Sequence, residues 1–199
     1  METSWPIGSD PVLCHAVMRV PRTFAFIDLS GFTNYTAAYG DDAAGRILSA
    51  FRSLVREIAS ERGVRIAKWL GDGCMMVSVD QQAAITFALD LENRSAEVCA
   101  PLSLRVGLAS GYALLFDGDD YIGSAVNMAS RLCDIAGPFE TLMPTMQIER
   151  LPEGVVARPY GEVELRGFPG TIDLVELSGQ PVATPLNDTS ELWTRSPFL

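Results

Sequence analysis

Phe26-Ile27-Asp28-Leu29-Ser30-Gly31-Phe32-Thr33 is an apolar strand pattern that runs into a tight turn, and Asp28 stands near the end of the strand. Lys68-Trp69-Leu70-Gly71-Asp72-Gly73 repeats this arrangement further along the chain, with Asp72 in the turn. A carboxylate at a strand end is held rigidly and stays open to a cleft, and two that converge can bind two hard divalent cations for phosphoryl chemistry. Asp72 alone would be read as an ordinary turn aspartate between glycines. Its pairing with Asp28 indicates an enzyme that acts on a nucleoside triphosphate.

A third stretch, Asp120-Tyr121-Ile122-Gly123-Ser124-Ala125-Val126-Asn127-Met128-Ala129-Ser130-Arg131, runs from a turn into a helical pattern. Asn127 and Arg131 are four residues apart, so both side chains lie on one helix face. The motifs Phe-x-Asp-x-x-Gly-Phe-Thr, Lys-x-x-Gly-Asp-Gly and Asp-x-x-Gly-x-x-Val-Asn-x-x-x-Arg follow one another in fixed order with every polar position filled. Any one of them recurs by chance, whereas the three together are specific. Over residues 22–177 the sequence resembles the catalytic domain of class III nucleotidyl cyclases.

Length and composition predict one domain. The chain has 199 residues, 48% of them hydrophobic, and no Pro/Gly/Ser-rich linker divides its interior. It can therefore bury one sizeable core. We expect an irregular lead-in over residues 1–21, the catalytic domain over residues 22–178 and a flexible, Pro-punctuated tail over residues 179–199.

The charge balance restricts the partners. The formal net charge is −10 and the pI is about 4.5, so nucleic acids and anionic membranes would be repelled. The most apolar stretch, residues 102–116, is short and is interrupted by Arg105, Gly107 and Gly111, and the N-terminus has no signal-sequence pattern. We therefore expect no nucleic-acid partner and no membrane segment.

The cysteines indicate a reducing compartment. The chain has four, widely scattered and without a Cys-x-x-Cys pattern, which are Cys14, Cys74, Cys99 and Cys133. Buried free thiols are the expected state, rather than a disulfide or metal framework. This fits a cytoplasmic protein.

Hydrophobic periodicity predicts alternating strands and helices. The expected strands cover residues 24–29, 64–70, 74–79, 102–109, 112–116, 141–143, 161–165 and 171–177. The expected helices run from an Asp41-Asp42 cap to about residue 61, with Gly63 as the stop, then over residues 81–98 behind an Asp80 cap, and over residues 123–135. A Ser110-Gly111 turn is expected between the fourth and fifth strands. The pattern predicts an α+β sandwich with one mixed, mostly antiparallel sheet, and the resemblance implies a ferredoxin-like palm.

The resemblance also implies how metal and phosphates are held. Asp28 and Asp72, with the backbone carbonyl of Leu29, would bind two Mg²⁺ or Mn²⁺ ions. One ion would lower the pKa of the ribose 3′-hydroxyl and the other would neutralise charge on the triphosphate. Gly31, Phe32 and Thr33 begin a helix directly after the strand, where free backbone N–H groups suit the β- and γ-phosphates. A plain strand-to-helix turn, with Phe32 in the core, is compatible with that role.

Lys68 and Asp120 are the candidate base readers. Adenine presents an acceptor at N1 and a donor at N6, which an ammonium donor and a carboxylate acceptor match, whereas guanine presents the opposite sense. The pair therefore favours ATP. In isolation Lys68 would be read as a surface lysine and Asp120 as one acid of a solvated turn that also contains Asp119.

The remaining polar positions are assigned to transition-state geometry. Asn127 would hold the ribose so that O3′ lies in line with the α-phosphorus, and Arg131 would stabilise charge on the phosphoryl oxygens. Members of the family often supply a further basic residue to the triphosphate from a late hairpin, and Arg166 is the residue nearby.

The resemblance implies a head-to-tail homodimer with two composite sites. One chain would give the metal aspartates, and the other would give the base readers, Asn127 and Arg131. The leading interpretation is an adenylate cyclase that converts ATP into 3′,5′-cyclic AMP and pyrophosphate. The alternatives are a catalytically weak or silent nucleotide-binding module and a guanylate cyclase. A diguanylate cyclase is disfavoured because the sequence lacks a Gly-Gly-Asp/Glu-Glu-Phe hairpin.

Overall fold

Strands and helices alternate along the chain and build one sheet with helices on both faces. The computed structural model of the protein describes residues 18–116 and 120–181. Within them the strands are β1 (Met18–Ser30), β2 (Arg65–Leu70), β3 (Gly73–Ser78), β4 (Ser103–Phe116), β5 (Asp120–Ile122), β6 (Glu140–Pro144), β7 (Val155–Glu164) and β8 (Thr171–Gly179). The helices are α1 (Phe32–Tyr39), α2 (Asp41–Arg62), α3 (Gln81–Val98) and α4 (Ser124–Ile135), with a short 3-10 helix at Thr145–Gln147.

The sheet topology confirms the predicted fold class. The strands lie in the order β2-β3-β1-β4-β6-β8-β7, with β5 paired to β4. β4 and β6 are parallel, and the other neighbouring pairs are antiparallel. The first four strands in this order, connected as β1-α-β2-β3-α-β4, form the split βαβ arrangement of ferredoxin-like domains. The sheet is therefore mixed and mostly antiparallel, as the sequence predicted.

Alternation along β1 decides which side chains reach which helices. Ile27 and Leu29 are buried in the cluster formed with α2 and α3, whereas Phe24 is buried in the cluster that contains Ala125 of α4. Successive side chains of a strand point to opposite faces. Asp28 therefore lies on the face of the sheet that carries α4.

Gly107 of β4 lets α4 lie directly on the sheet. A Cβ at this glycine would stand 2.2 Å from the carbonyl oxygen of Ala129 and 2.2 Å from the nitrogen of Cys133. No side chain fits into that space, so the approach of helix to strand requires glycine. This contact fixes the height and register of α4 over β4.

Two helix boundaries are formed by the residues that the sequence predicted for them, at the start of α3 and at the end of α2. The carboxylate of Asp80 accepts a hydrogen bond from the backbone N–H of Gln82 at 2.8 Å and caps α3. Gly63 ends α2 in the left-handed conformation with φ 64°. The Asp41-Asp42 cap was wrong in detail, because Gly40 occupies the cap and both acids lie in the first turn. There they stabilise the positive end of the helix dipole.

The predicted Ser110-Gly111 turn was wrong. β4 continues through both residues and pairs with β1 from Ser30↔Ser103 to Met18↔Leu115. The Ser110 hydroxyl shares a 2.8 Å hydrogen bond with the Thr23 hydroxyl, and a Cβ at Gly111 would stand 3.1 Å from the Cβ of Ala125. The glycine therefore makes room for α4, and it does not mark a chain reversal.

Other boundaries differ from the expectation in extent. β1 begins at Met18, inside the segment expected to be irregular, and β7 begins at Val155 rather than at residue 161. β5 was not predicted. Gly179 closes β8, and residues 1–17 and 182–199 lie outside the described residues, as does Cys14. The other three cysteines are buried free thiols, as predicted.

Candidate active site

Asp28 and Asp72 meet at one end of the β1–β3 pair. Asp28 is in register with Gly73, the residue that follows Asp72. Gly71 takes φ +71° at the first position of the two-residue β2–β3 loop, where hairpin geometry favours glycine. A Cβ at Gly73 would stand 2.3 Å from the carbonyl oxygen of Ile27 and 3.1 Å from Oδ1 of Asp28. The absence of that Cβ lets the loop approach the carboxylate of Asp28.

The carboxylate of Asp72 is affected electrostatically by that of Asp28. Burial raises the pKa of Asp72 above its ordinary value, and the negative charge of Asp28 raises it further, against smaller opposing effects from a backbone hydrogen bond and Arg105. A cation between them would relieve this repulsion. Carboxylate and carbonyl oxygens are the donors that Mg²⁺ prefers, so the pair fits the ion chemically.

The rest of a metal shell would come from outside this pair. The side chain of Leu29 is buried, with 1% exposure, so Leu29 can contribute only its backbone carbonyl. The described part of the chain contains no cluster of three His, Cys, Asp or Glu side chains that could hold a metal ion. A metal ion at this position would therefore be held by two carboxylates and would need backbone and substrate oxygens to complete its shell.

Arg105 is a functional candidate that the sequence analysis missed. It faces Asp28 in the β1–β4 register, and its Nε and Nη2 donate to Oδ2 of Asp28 at 2.9 and 2.6 Å. Both residues line a cleft of about 270 Å³ that also contains Gly73, Cys133 and Asp134. The available signal is that Arg105 is the single charged residue in the apolar stretch 102–116. The cleft therefore contains a cation beside the carboxylate of Asp28.

Backbone donors lie next to this cleft. Gly31 takes φ 83° at the N-terminus of α1, directly after β1, with no side-chain cap. The first backbone bond of the helix runs from the N–H of Tyr35 to the carbonyl of Gly31. The N–H groups of Phe32 and Thr33 therefore have no acceptor within the helix. Phe32 also packs against the α2–α3 core cluster, as predicted, and the phosphate contact of the free N–H groups stays a prediction.

Lys68 and Asp120 come together although 52 residues separate them. Lys68 Nζ lies 2.7 Å from Oδ1 of Asp120, and both side chains are about half exposed. The Lys68 hydrogen bond lowers the pKa of Asp120 below its ordinary value. The pair thus presents an ammonium donor and a carboxylate acceptor side by side. Asp119 lies outside the described residues.

Asn127 and Arg131 share one face of α4, as their spacing predicted, and both are exposed. Arg131 Nη1 donates to Oδ2 of Asp134 at 2.9 Å. Neither residue lines the cleft around Asp28. Arg166 is exposed in the turn after β7, beside Leu165, which packs with α4.

One chain therefore brings the candidate residues into two separate groups. The metal group is Asp28 and Arg105, which line the cleft, together with Asp72 in the adjoining β2–β3 loop. The base group is the Lys68–Asp120 pair with the exposed face of α4. Neither Lys68 nor Asp120 lines the cleft.

Comparison with known proteins identifies the family. The family model for the adenylate and guanylate cyclase catalytic domain matches residues 20–179. The chain belongs to this cyclase family. The match confirms the resemblance drawn from the three motifs.

Curated relatives of the cyclase domain include an uncharacterised protein of Mycobacterium tuberculosis, 34% identical over 79% of this chain and 41% of the relative. An adenylate cyclase of Streptomyces coelicolor is 35% identical over 63% of this chain and 33% of its own length. An adenylate cyclase of M. tuberculosis is 31% identical over 79% of this chain and 39% of its own. The chain thus spans about two fifths or less of these relatives.

Solved structures share the fold of the cyclase domain. The adenylyl cyclase CyaB from P. aeruginosa gives a TM-score of 0.75 at 23% identity, over 84% of this chain and 98% of that one. The guanylate cyclase domain of RhGC from Catenaria anguillulae gives 0.67 at 20% identity, over 80% and 96%. The described segments contain no helix with the length and apolar character needed to cross a membrane.

Proposed function

We propose that this cyclase domain is an adenylate cyclase that converts ATP into 3′,5′-cyclic AMP and pyrophosphate at composite sites of a homodimer. The observation that carries the choice of ATP is the 2.7 Å Lys68–Asp120 pair. Its donor and acceptor stand side by side and match N1 and N6 of adenine. With guanine in the same place, the Lys68 ammonium would face the N1–H donor and the Asp120 carboxylate would face the O6 acceptor. Curated relatives named adenylate cyclase at 31–35% identity support the same choice.

In the proposed reaction the ribose O3′ attacks the α-phosphorus, the O3′–P bond forms and the bond to the β-phosphate oxygen breaks. The O3′ proton is lost and pyrophosphate leaves. Two Mg²⁺ or Mn²⁺ ions, when bound, would acidify the 3′-hydroxyl and neutralise charge on the triphosphate. Asp28, Asp72 and the Leu29 carbonyl would hold these ions.

The chain's own residues would orient and stabilise the reacting groups. The free N–H groups of Phe32 and Thr33 would bind the outer phosphates. Arg105, already at the cleft, would keep positive charge beside the phosphate chain. Asn127 would hold the ribose for in-line attack. Arg131 would exchange its contact with Asp134 for the phosphoryl oxygens, where a fixed cation stabilises the transition state.

The separation of the two groups supports a homodimer. The residues that line the cleft around Asp28 do not include Asn127 or Arg131, and they do not include the Lys68–Asp120 pair. All of these residues are nevertheless present in one chain. Pairing the metal group of one chain with the base group of another would complete a site, and two-fold symmetry would make two equivalent sites. Arg166 would approach the triphosphate from the chain that gives Arg131.

The test is turnover by the purified chain with ATP or GTP and with Mg²⁺ or Mn²⁺, followed by chromatography of the products. We expect metal-dependent formation of cyclic AMP, with ATP preferred over GTP. Preferential formation of cyclic GMP would contradict the base assignment. A purified, folded dimer that makes neither product would favour the silent nucleotide-binding module.

A further inference from the structure

Arg52 of α2 contacts the loop that carries Asp72. Its Nη2 donates to the carbonyl oxygen of Gly71 at 3.0 Å, one residue before Asp72. Its guanidinium carbon also lies 5.0 Å from the centre of the Trp69 ring in β2. A hydrogen bond from a charged donor is stronger than a neutral one. Arg52 therefore ties the hairpin loop to the helix from two sides.

The position of this guanidinium is costly in one respect. Arg52 Nε is buried and has no hydrogen-bond partner among the described residues. Buried polar atoms without partners are rare in native proteins, and each calls for an explanation. An arginine that extended into solvent would avoid that loss. The contact with the Gly71 carbonyl and the Trp69 ring is what holds the side chain inward.

Arg56, one helical turn later, supplies an internal comparison. Its guanidinium carbon lies 5.2 Å from the centre of the same Trp69 ring. Within the described segments it donates no side-chain hydrogen bond, and it is exposed. Both arginines thus lie against the tryptophan, and only Arg52 reaches the loop. Any effect of stacking alone should be common to the two.

We propose that Arg52 is a positioning residue that fixes the Gly71-Asp72 loop in the conformation in which Asp72 can bind a divalent cation. Arg52 bonds the backbone of Gly71 and not the carboxylate of Asp72, so it acts on the place of the carboxylate rather than as a ligand. Trp69 transmits the same restraint to the strand before the loop. The inference rests on the proposed metal role of Asp72.

The test compares wild type with Arg52→Met, Arg56→Met and Asp72→Ala, each checked for folding by circular dichroism and thermal melting. Hydrogen exchange of the 70–73 backbone amides is measured in metal-free protein. Binding of Mn²⁺ alone is measured by electron paramagnetic resonance. In Arg52→Met we expect exchange to be about tenfold faster and Mn²⁺ affinity about tenfold weaker, as for the loss of one charged hydrogen bond. In Arg56→Met both should stay within about twofold of wild type, well under one such bond.

Each other outcome has a defined meaning. Equal exchange and Mn²⁺ affinity in Arg52→Met and wild type would overturn the proposal, as would equal effects of the two methionine variants. Mn²⁺ binding that does not change in Asp72→Ala would instead refute the metal role of Asp72, and with it the positioning role. If Arg52→Met does not fold, Arg52→Lys replaces it. Lysine keeps the aliphatic chain and the positive charge but lacks the planar guanidinium. Smaller changes in the same direction, about threefold, are then expected, and wild-type values would overturn the proposal.

Discussion

Replacing Glu92 by glutamine should stabilise the protein more at alkaline pH than in acid. Glu92 lies on α3, and its Oε2 accepts a 2.7 Å hydrogen bond from the hydroxyl of Thr141, which is completely buried in β6. Burial raises the pKa of Glu92 to about 7; the Thr141 bond opposes the rise, and the charges of Glu176 on β8 and Glu140 on β6 add to it. The ionised side chain is therefore disfavoured in the folded state.

The direction in which stability changes with pH follows from proton linkage. Between its ordinary pKa of 4.5 and the folded value of about 7, Glu92 binds more protons in the folded state than in the unfolded state. Stability therefore falls as pH rises through this window. Each pH unit is worth ~1.4 kcal/mol, so the loss approaches roughly 3 kcal/mol above pH 8, and about 1 kcal/mol of it is already present at pH 5.5.

The assay is urea unfolding at pH 5.5 and pH 8.5 for wild type, Glu92→Gln and Glu97→Gln. Glutamine keeps an oxygen that can accept the Thr141 hydrogen bond and removes the charge. We expect the advantage of Glu92→Gln over wild type to grow by about 2 kcal/mol between the two pH values. The exposed Glu97 on the same helix is the matched control and should show no such growth. A pH-independent difference for Glu92→Gln, or an equal trend in Glu97→Gln, would refute the reasoning.

Three predictions concern the proposed chemistry. Asp28→Ala and Asp72→Ala should each lower metal-dependent turnover by about 100-fold or more with unchanged circular dichroism, and near wild-type turnover in either would exclude the metal assignment. Asp72→Ala and Arg131→Ala chains, each inactive alone, should together recover about a quarter of wild-type activity, because mixed dimers contain one intact site; no recovery in verified heterodimers would place the whole site in one chain. Lys68→Glu combined with Asp120→Cys should shift the ATP/GTP turnover ratio toward GTP, by up to ~10⁴-fold, and an unchanged ratio at measurable activity would remove the main support for ATP.

Much of the fold could be predicted because its signals are local. Asp80 and Gly63 mark helix ends through their own backbone neighbours, and alternation in β1 is visible within a few residues. The role of Gly111 was predicted wrongly because it depends on a residue of another element. Glycine at this position leaves room for Ala125 of α4. The sequence alone does not distinguish a glycine that permits a turn from one that permits a close contact.

In the candidate site, too, contacts between distant parts of the chain could not be predicted from the sequence. The motifs locate Asp28 and Asp72, but the ion pair of Asp28 with Arg105 depends on β1 lying beside β4. Arg105 belongs to no motif that we recognised. The contact of Arg52 with Gly71 likewise depends on α2 packing over the β2–β3 hairpin. Residues that support a site through packing can be found only once the partner elements are known.

The β2–β3 hairpin carries residues of both groups, and α4 carries residues of the base group and contacts Arg105 of the metal group. The β2–β3 hairpin holds Lys68 on one strand and Asp72 in its loop. On α4, the carboxylate of Asp134 accepts from Arg131, and the carbonyl of the same residue accepts from Arg105 Nη1 at 3.4 Å. In the proposed dimer the two groups of one chain serve different sites. A displacement of the hairpin or of α4 would therefore alter both sites at once, whereas a change at the carboxylate of Asp72 alone would alter one. Mixed dimers with substitutions of each kind distinguish these cases.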